Sequence, residues 1–195
     1  MFGMDTMSSA VKPLADVPEF TNLLLMFSNP LLGVLAGAVL TAVIQSSSAS
    51  VGILQALCVT GAINFSTAVP IIMGQNIGTC VTAMLSCVGA NKNAKRAALV
   101  HLYFNIIGSV VFLTLFYGLN AVVQFGFMDS AANAWGIAVV HSVFNLFAVL
   151  VLMPFRKQLV NLACVTIPET EEEKLEMPSE FSFLEERFLD TPALA

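Results

Sequence analysis

The sequence predicts an all-α integral membrane protein, a helical bundle containing discontinuous, re-entrant half-helices. Three observations lead there. First, 57% of the 195 residues are hydrophobic and 11% charged, with a mean hydropathy of +0.83; water-soluble domains carry about 25% charged residues. Second, charge is absent over the 72 residues between Glu19 and Lys92, the 32 between Arg96 and Asp129, and the 26 between Asp129 and Arg156. A membrane crossing needs only about 20 residues. Third, the longest of these gaps is broken by clusters of amide, hydroxyl and glycine residues into apolar pieces too short to span. A water-soluble enzyme is excluded.

Residues 1–28 mix charge with Val11, Leu14, Val17, Phe20 and Leu24 at spacings of three and four. That pattern suits an amphipathic helix at the interface or packed on the bundle. Acidic Asp5, Asp16 and Glu19 precede the first apolar run, unlike the basic start of a signal peptide. The segment 29–91 opens on Asn29-Pro30, and proline at a first helical position pre-sets the backbone. Its first apolar run, Leu31 to Ile44, would be about 21 Å long as a helix, against a hydrocarbon core of about 30 Å. It stops at Gln45-Ser46-Ser47-Ser48. Further short runs, Ala49 to Val59, Ala68 to Met73 and Cys80 to Val88, are separated by Thr60-Gly61 and by Gly74-Gln75-Asn76-Ile77-Gly78-Thr79. An interrupted-helix module is expected there.

Residues 92–157 contain two conventional transmembrane helices, Ala97 to Tyr117 and Trp135 to Phe155. The positive-inside rule puts Lys92, Lys95, Arg96, Arg156 and Lys157 in the cytoplasm and residues 118–134 outside, making Asn120, Gln124 and Asn133 solvated loop residues. The helices echo each other at an offset of 40: His101, Phe104 and Asn105 align with His141, Phe144 and Asn145. Both place His and Asn four apart on one face. Residues 158–195 carry nine acidic and two basic groups, whereas residues 1–157 carry four acidic and six basic. The net charge of -5 therefore belongs to an acidic tail, expected in the cytoplasm of a multi-pass cell-membrane protein. Ser179 can cap a helix there, with Phe181, Leu184, Phe188 and Leu189 on one stripe.

Gln45-Ser46-Ser47-Ser48 is the most informative feature. Serine hydroxyls compete with the backbone for hydrogen bonds and favour an unwound stretch. In lipid such backbone is tolerated only where protein or a watery cavity surrounds it. The oxygens suit a sodium ion, and amides at the next helix start suit an oxyanion; close helix packing by small residues is the alternative. Asn76, Gly78 and Thr79 repeat the logic, with Thr82 one turn on. Two interrupted segments in one membrane domain point to a transporter's binding site. Gly33 and Gly37 form a pair four apart that lets another helix approach.

His101 and His141 are intramembrane ionisable residues, read either as a proton path or, because no carboxylate lies in the membrane core, as neutral hydrogen-bonding groups between helices. Asn105 and Asn145 take the same structural reading. Cys58, Cys80, Cys87 and Cys164 lack metal-type spacing. No catalytic constellation, cofactor motif or basic stripe for nucleic acid is present.

Together, Gln45-Ser46-Ser47-Ser48-Ala49, Gly74 to Thr79, Lys95-Arg96-Ala97-Ala98, His101 and Phe104-Asn105 resemble the sodium/phosphate cotransporter family, the bacterial relatives of type II sodium-dependent phosphate cotransporters. Met7 to Ala10 and Lys12 to Leu14 resemble the segment preceding that module, so the likeness covers about residues 4 to 160. It implies symport of inorganic phosphate with sodium as coupling ion, through two inverted modules facing each other. Carried over by position, Gln45, Ser46, Ser47 and Ser48 would hold sodium and phosphate, and Asn76, Gly78 and Thr79 would line the same cavity. Two positions depart from the family pattern: Gln75 stands where a small residue is usual, and Cys80 where a second threonine is. The resemblance further implies that the chain is one half of an inverted-repeat transporter, a fragment beginning at an internal methionine or a half-size subunit pairing with another copy of itself. Its tail would then begin a helical domain similar to the phosphate regulator PhoU. A carrier or channel for another small solute, and a membrane subunit without transport of its own, are the competing readings.

Overall fold

The computed structural model describes residues 29–59, 61 and 63–168, together with Gly3, Thr6 and Phe27. The amphipathic helix expected in residues 1–28 and the tail helix near Ser179 lie outside the described residues, apart from those three positions.

Among the described residues from Asn29 onward, six α-helices carry the fold: α1 (Pro30–Ile44), α2 (Ser47–Cys58), α3 (Phe65–Ser86), α4 (Lys92–Val123), α5 (Ala134–Leu152) and α6 (Arg156–Thr166), the last two joined by a 3-10 turn at Met153–Phe155. Among the described residues there is no strand, only an isolated bridge between Asn64 and Ala131. Among the described residues, three stretches are long and apolar enough to cross a membrane: α3, α4, and α5 continued through α6.

The start of α1 follows from Asn29, whose side chain accepts from the Leu31 amide at 3.0 Å, and from Pro30 behind it. The helix ends because Gln45 turns left-handed (φ 58°), with its amide donating back to the Thr41 carbonyl at 2.7 Å. Ser46 is extended and caps α2, its hydroxyl accepting from the Ala49 amide at 3.3 Å. A two-residue break thus reverses the chain. At about 22 and 18 Å respectively, neither α1 nor α2 spans by itself, and together they form a re-entrant hairpin.

The hairpin packs on α3 through glycine. A Cβ at Gly37 would lie 2.1 Å from the Ile71 carbonyl oxygen, one at Gly74 2.0 Å from that of Val34, and one at Gly78 2.5 Å from that of Ala38. Only hydrogen fits at these three crossings, so α1 and α3 run parallel with their backbones in contact. Gly33 and Gly37 thereby take the packing role expected of them.

α3 is the centre of the bundle and a correction to the sequence reading. Gly74 to Thr79 do not interrupt it; the helix is continuous for 22 residues. The polar side chains satisfy their own helix instead. Asn76 Nδ2 donates to the Ile72 carbonyl at 2.9 Å, Thr79 Oγ1 to that of Asn76, and Thr82 Oγ1 to that of Thr79 at 2.7 Å. Pro70, which lacks an amide proton for the Ser66 carbonyl, is tolerated because the Tyr117 hydroxyl reaches that oxygen at 3.5 Å.

α4 begins on the Asn91 cap, which accepts from the Ala94 amide at 2.9 Å, and runs 32 residues, past the expected end at Tyr117. Asn120 therefore lies inside α4 rather than in a loop, whereas Gln124 and Asn133 stand exposed just outside the helices, as the C-cap of α4 and the N-cap of α5. Asn120 Oδ1 accepts from the Phe125 amide at 2.9 Å, Gln124 is left-handed (φ 52°), and Asn133 Oδ1 accepts from the Gly136 amide at 2.8 Å. The loop between α4 and α5 supplies the partners for the first amides of α3: Phe65 donates to the Ser130 carbonyl at 3.2 Å and Ser66 to that of Met128 at 3.0 Å. Packed rings reinforce this end, with Phe65 and Phe127 5.8 Å apart edge to face. At the other end, Arg96 Nε donates to the Ile167 carbonyl at 2.9 Å, past the C-terminus of α6, where a helix dipole favours positive charge.

Candidate functional site

The turn between α1 and α2 presents Gln45, Ser47 and Ser48 exposed and Ser46 half-buried. The Ser46 and Ser48 hydroxyls are 3.3 Å apart. The Ser46 cap takes the Ala49 amide, and its carbonyl takes that of Ser50 at 3.0 Å. The Ser47 and Ser48 amides are left at the positive end of α2, beside three hydroxyls. Such a tip can donate hydrogen bonds to an oxyanion and offer hydroxyl and amide oxygens to a hard cation.

Asn76 is buried on α3, at 8% exposure. Its Oδ1 lies 3.2 Å from Nε2 of His141 on α5. Thr79 is half-buried, and Gly78 is buried against α1, where its missing Cβ serves the helix crossing. No hydrogen bond among the described residues joins Gln45 to Ser48 directly to Asn76, Gly78 or Thr79. The two groups are linked through three residues that sequence reasoning did not place in the site. Thr41 Oγ1 donates to Ser50 Oγ at 2.8 Å, and Gln75 Nε2 donates to the Ser50 carbonyl at 3.0 Å. All three are essentially without exposure. Gln75 Oε1 has no hydrogen-bond partner among the described residues.

The signals that could have found them are modest. Thr41 precedes Gln45 by one helical turn, Ser50 follows Ser46 by one, and Gln75 departs from the small residue of the family pattern. Each is a polar residue at a position that helical spacing turns toward the same neighbour.

The histidine echo is real locally and asymmetric globally. Asn105 Nδ2 donates to the His101 carbonyl at 3.0 Å, and Asn145 Nδ2 to that of His141 at 2.8 Å. Asn105 is buried and His101 exposed, whereas His141 is half-buried and Asn145 exposed. Only His141 bonds to a motif residue.

The sequence model of the Na+/Pi-cotransporter family matches residues 1–152, more than three-quarters of the chain and every residue of this site. The chain belongs to that family. Among relatives of this Na+/Pi-cotransporter family member, "Uncharacterized protein YqeW" of Bacillus subtilis (strain 168) is 35% identical over 134 residues, 69% of this chain and 43% of the relative. The "Putative inorganic phosphate export protein YjbB" of Escherichia coli (strain K12) is 33% identical over 165 residues, 85% of this chain and 30% of the relative. The "Sodium-dependent phosphate transport protein 2A" of Rattus norvegicus is 40% identical over 96 residues, 46% of this chain and 15% of the relative. The chain thus spans less than half the length of each. No solved structure matches it significantly.

Proposed function

We propose that this Na+/Pi-cotransporter family member forms one module of a sodium-coupled inorganic phosphate transporter. The observation that carries the reading is the re-entrant tip: the Ser46 and Ser48 hydroxyls lie 3.3 Å apart at the positive end of α2, where the helix begins with the Ser47 and Ser48 amides, inside a family named for phosphate and sodium. A phosphate oxyanion needs several hydrogen-bond donors and a positive field, and the tip supplies both. Sodium needs hard oxygen ligands, and Gln45 Oε1, the serine hydroxyls and the oxygens of Asn76 and Thr79 are of that class. Gly78 shapes the wall by letting α1 and α3 touch.

Because Gln45, Ser47 and Ser48 are exposed, the site is completed by a second module, another repeat or another copy of the chain, whose own tip would face this one. The exposed apolar faces of α1, α4 and α5 suit that contact and lipid. By the positive-inside rule, the Lys92 to Arg96 end is cytoplasmic. A relative's name speaks of phosphate export, so direction is a separate quantity from cargo.

The test is labelled phosphate flux in proteoliposomes holding the intact transporter, measured with sodium and with potassium, as uptake and as efflux from preloaded vesicles. Sodium-dependent flux that falls more than about tenfold in Gln45→Ala and Ser47→Ala supports the reading, a loss of about 1.4 kcal/mol or more. Unchanged flux in both variants sinks the site assignment, and flux indifferent to sodium sinks the coupling.

A further inference from the structure

We infer that His141 is a positioning residue for the coupling ion: it fixes the side-chain amide of Asn76 so that Oδ1 keeps one free lone pair for a cation. The inference rests on the sodium-coupled reading above and goes beyond it by assigning a role to a helix that carries no part of either motif.

The argument begins with hydrogen-bond polarity. The Ile72 carbonyl can only accept, so the end of the Asn76 amide that lies 2.9 Å from it is Nδ2. Oδ1 therefore points the other way, toward His141 Nε2 at 3.2 Å. Two acceptors cannot bond each other, so Nε2 carries the hydrogen and the imidazole donates. The network thus assigns both the amide orientation and the histidine tautomer. A carbonyl oxygen has two lone pairs; His141 takes one. The backbone carbonyl of Asn76 is already used by Thr79 Oγ1 and by Cys80 Sγ at 3.8 Å. Oδ1 is then the oxygen of this residue with unused capacity.

Without His141 the amide has a single anchor on Ile72, and its oxygen end is free to rotate out of line. A neutral imidazole in a membrane helix is costly to bury unless bonded, and the bond it makes is to a residue of the second motif. The matching histidine of the echo offers an internal contrast. His101 is exposed, and the bonds recorded at it among the described residues run through its backbone carbonyl, to Asn105 Nδ2 and to Cys80 Sγ at 3.5 Å. The two helices share a local pattern, and one of them has turned its ring onto Asn76.

The experiment uses the intact transporter with His141→Ala, His141→Gln, Asn76→Ala and the double variant His141→Ala with Asn76→Ala. The half-saturating sodium concentration is read from phosphate flux and, in parallel, from sodium-dependent thermal stabilisation of the purified protein. The expected result for His141→Ala is a rise of about tenfold in half-saturating sodium, with maximal flux changed less than about twofold, as for a lost ligand constraint. Glutamine, which offers an amide donor, restores the value to within about twofold, and the double variant is no worse than Asn76→Ala. An unchanged sodium midpoint in His141→Ala, even with a lower melting temperature, overturns the inference, as does an additive double variant. A wild type whose stability responds to sodium but whose phosphate flux does not leaves the inference to be decided by the stability readout and sinks the sodium-coupled transport reading alone. A wild type with no sodium response by either readout overturns both.

Discussion

The two motifs, Gln45 to Ser48 and Gly74 to Thr79, are built from the same kinds of residue and fold in opposite ways. At the first, the helix stops, Gln45 turns left-handed, and Ser46 starts a new helix in the reverse direction. At the second, the helix runs on for 22 residues without a break. What differs is where each side chain finds a partner. Ser46 bonds forward to the Ala49 amide, which is what a cap does and an interior residue cannot. Asn76, Thr79 and Thr82 bond backward to carbonyls three or four residues earlier, which an unbroken helix permits. Glycine does not unwind α3, because Gly74 and Gly78 are held against the α1 backbone. Hydroxyls and amides in a membrane helix thus mark either a break or a support, and bond direction decides which.

The contrast can be broken most forcefully at the glycine crossing. Gly74→Leu puts a side chain where even a Cβ would be 2.0 Å from the Val34 carbonyl oxygen. Loss of at least about 3 kcal/mol is expected, seen as failure to purify as a monodisperse species or as a collapse of the thermal transition. A variant of wild-type stability would mean that α1 and α3 are not in backbone contact. A smaller effect is expected at the link between the motifs. Ser50→Ala removes the acceptor of the buried Thr41 hydroxyl and should cost about 1–3 kcal/mol in thermal or denaturant unfolding. No change would show that the Thr41–Ser50 hydroxyl bond does not hold α1 to α2.

Next comes the direct comparison of the two bond directions. Ser46→Ala deletes a cap and should cost about 1 kcal/mol, whereas Ser46→Gly costs only a few tenths. Thr79→Val, in a helix whose backbone ladder is intact without the hydroxyl, should cost no more than about 1 kcal/mol by the same unfolding measurement. Equal costs for Ser46→Ala and Ser46→Gly would mean that the hydroxyl is not acting as a cap. The smallest effect belongs to the left-handed residue itself. Gln45→Gly suits φ 58° and should stabilise the hairpin, or leave it unchanged, within about 1 kcal/mol, even as it removes a proposed ligand.

Much of this architecture was legible in the residues. The charge-free gaps and the apolar runs gave two of the three span-length helices and the first break, because helix length against bilayer thickness and the capping chemistry of Asn29 and Ser46 are local quantities. The second break was expected from the same residue types and is absent, because whether Asn76 and Thr79 bond forward or backward depends on how α1 packs against Gly74 and Gly78. The site was legible to the same depth. Gln45 to Ser48 stand at the turn as expected, whereas Thr41, Ser50 and Gln75 emerge only once three helices meet. His141 could be picked out as an intramembrane histidine, yet its bond to Asn76 crosses 65 residues of sequence, which no local pattern encodes. Asn120 falls inside α4 because the helix runs past its apolar stretch, and the capping bonds of Asn120 and Asn133 show only in their neighbours' geometry.

The central claim is that the first motif is an open, ligand-binding tip where the chain turns, and the second a buried stretch of unbroken helix that meets the ion only through its side-chain oxygens. It is tested most directly by cysteine reactivity in a cysteine-free version of the intact transporter, using a small water-soluble thiol reagent on Ser48→Cys and Asn76→Cys. The account predicts that Ser48→Cys reacts readily and is protected when sodium and phosphate are added together, while Asn76→Cys reacts at least about tenfold more slowly, as its burial requires. Equal reactivity at the two positions, or a Ser48→Cys rate indifferent to sodium and phosphate, would contradict it.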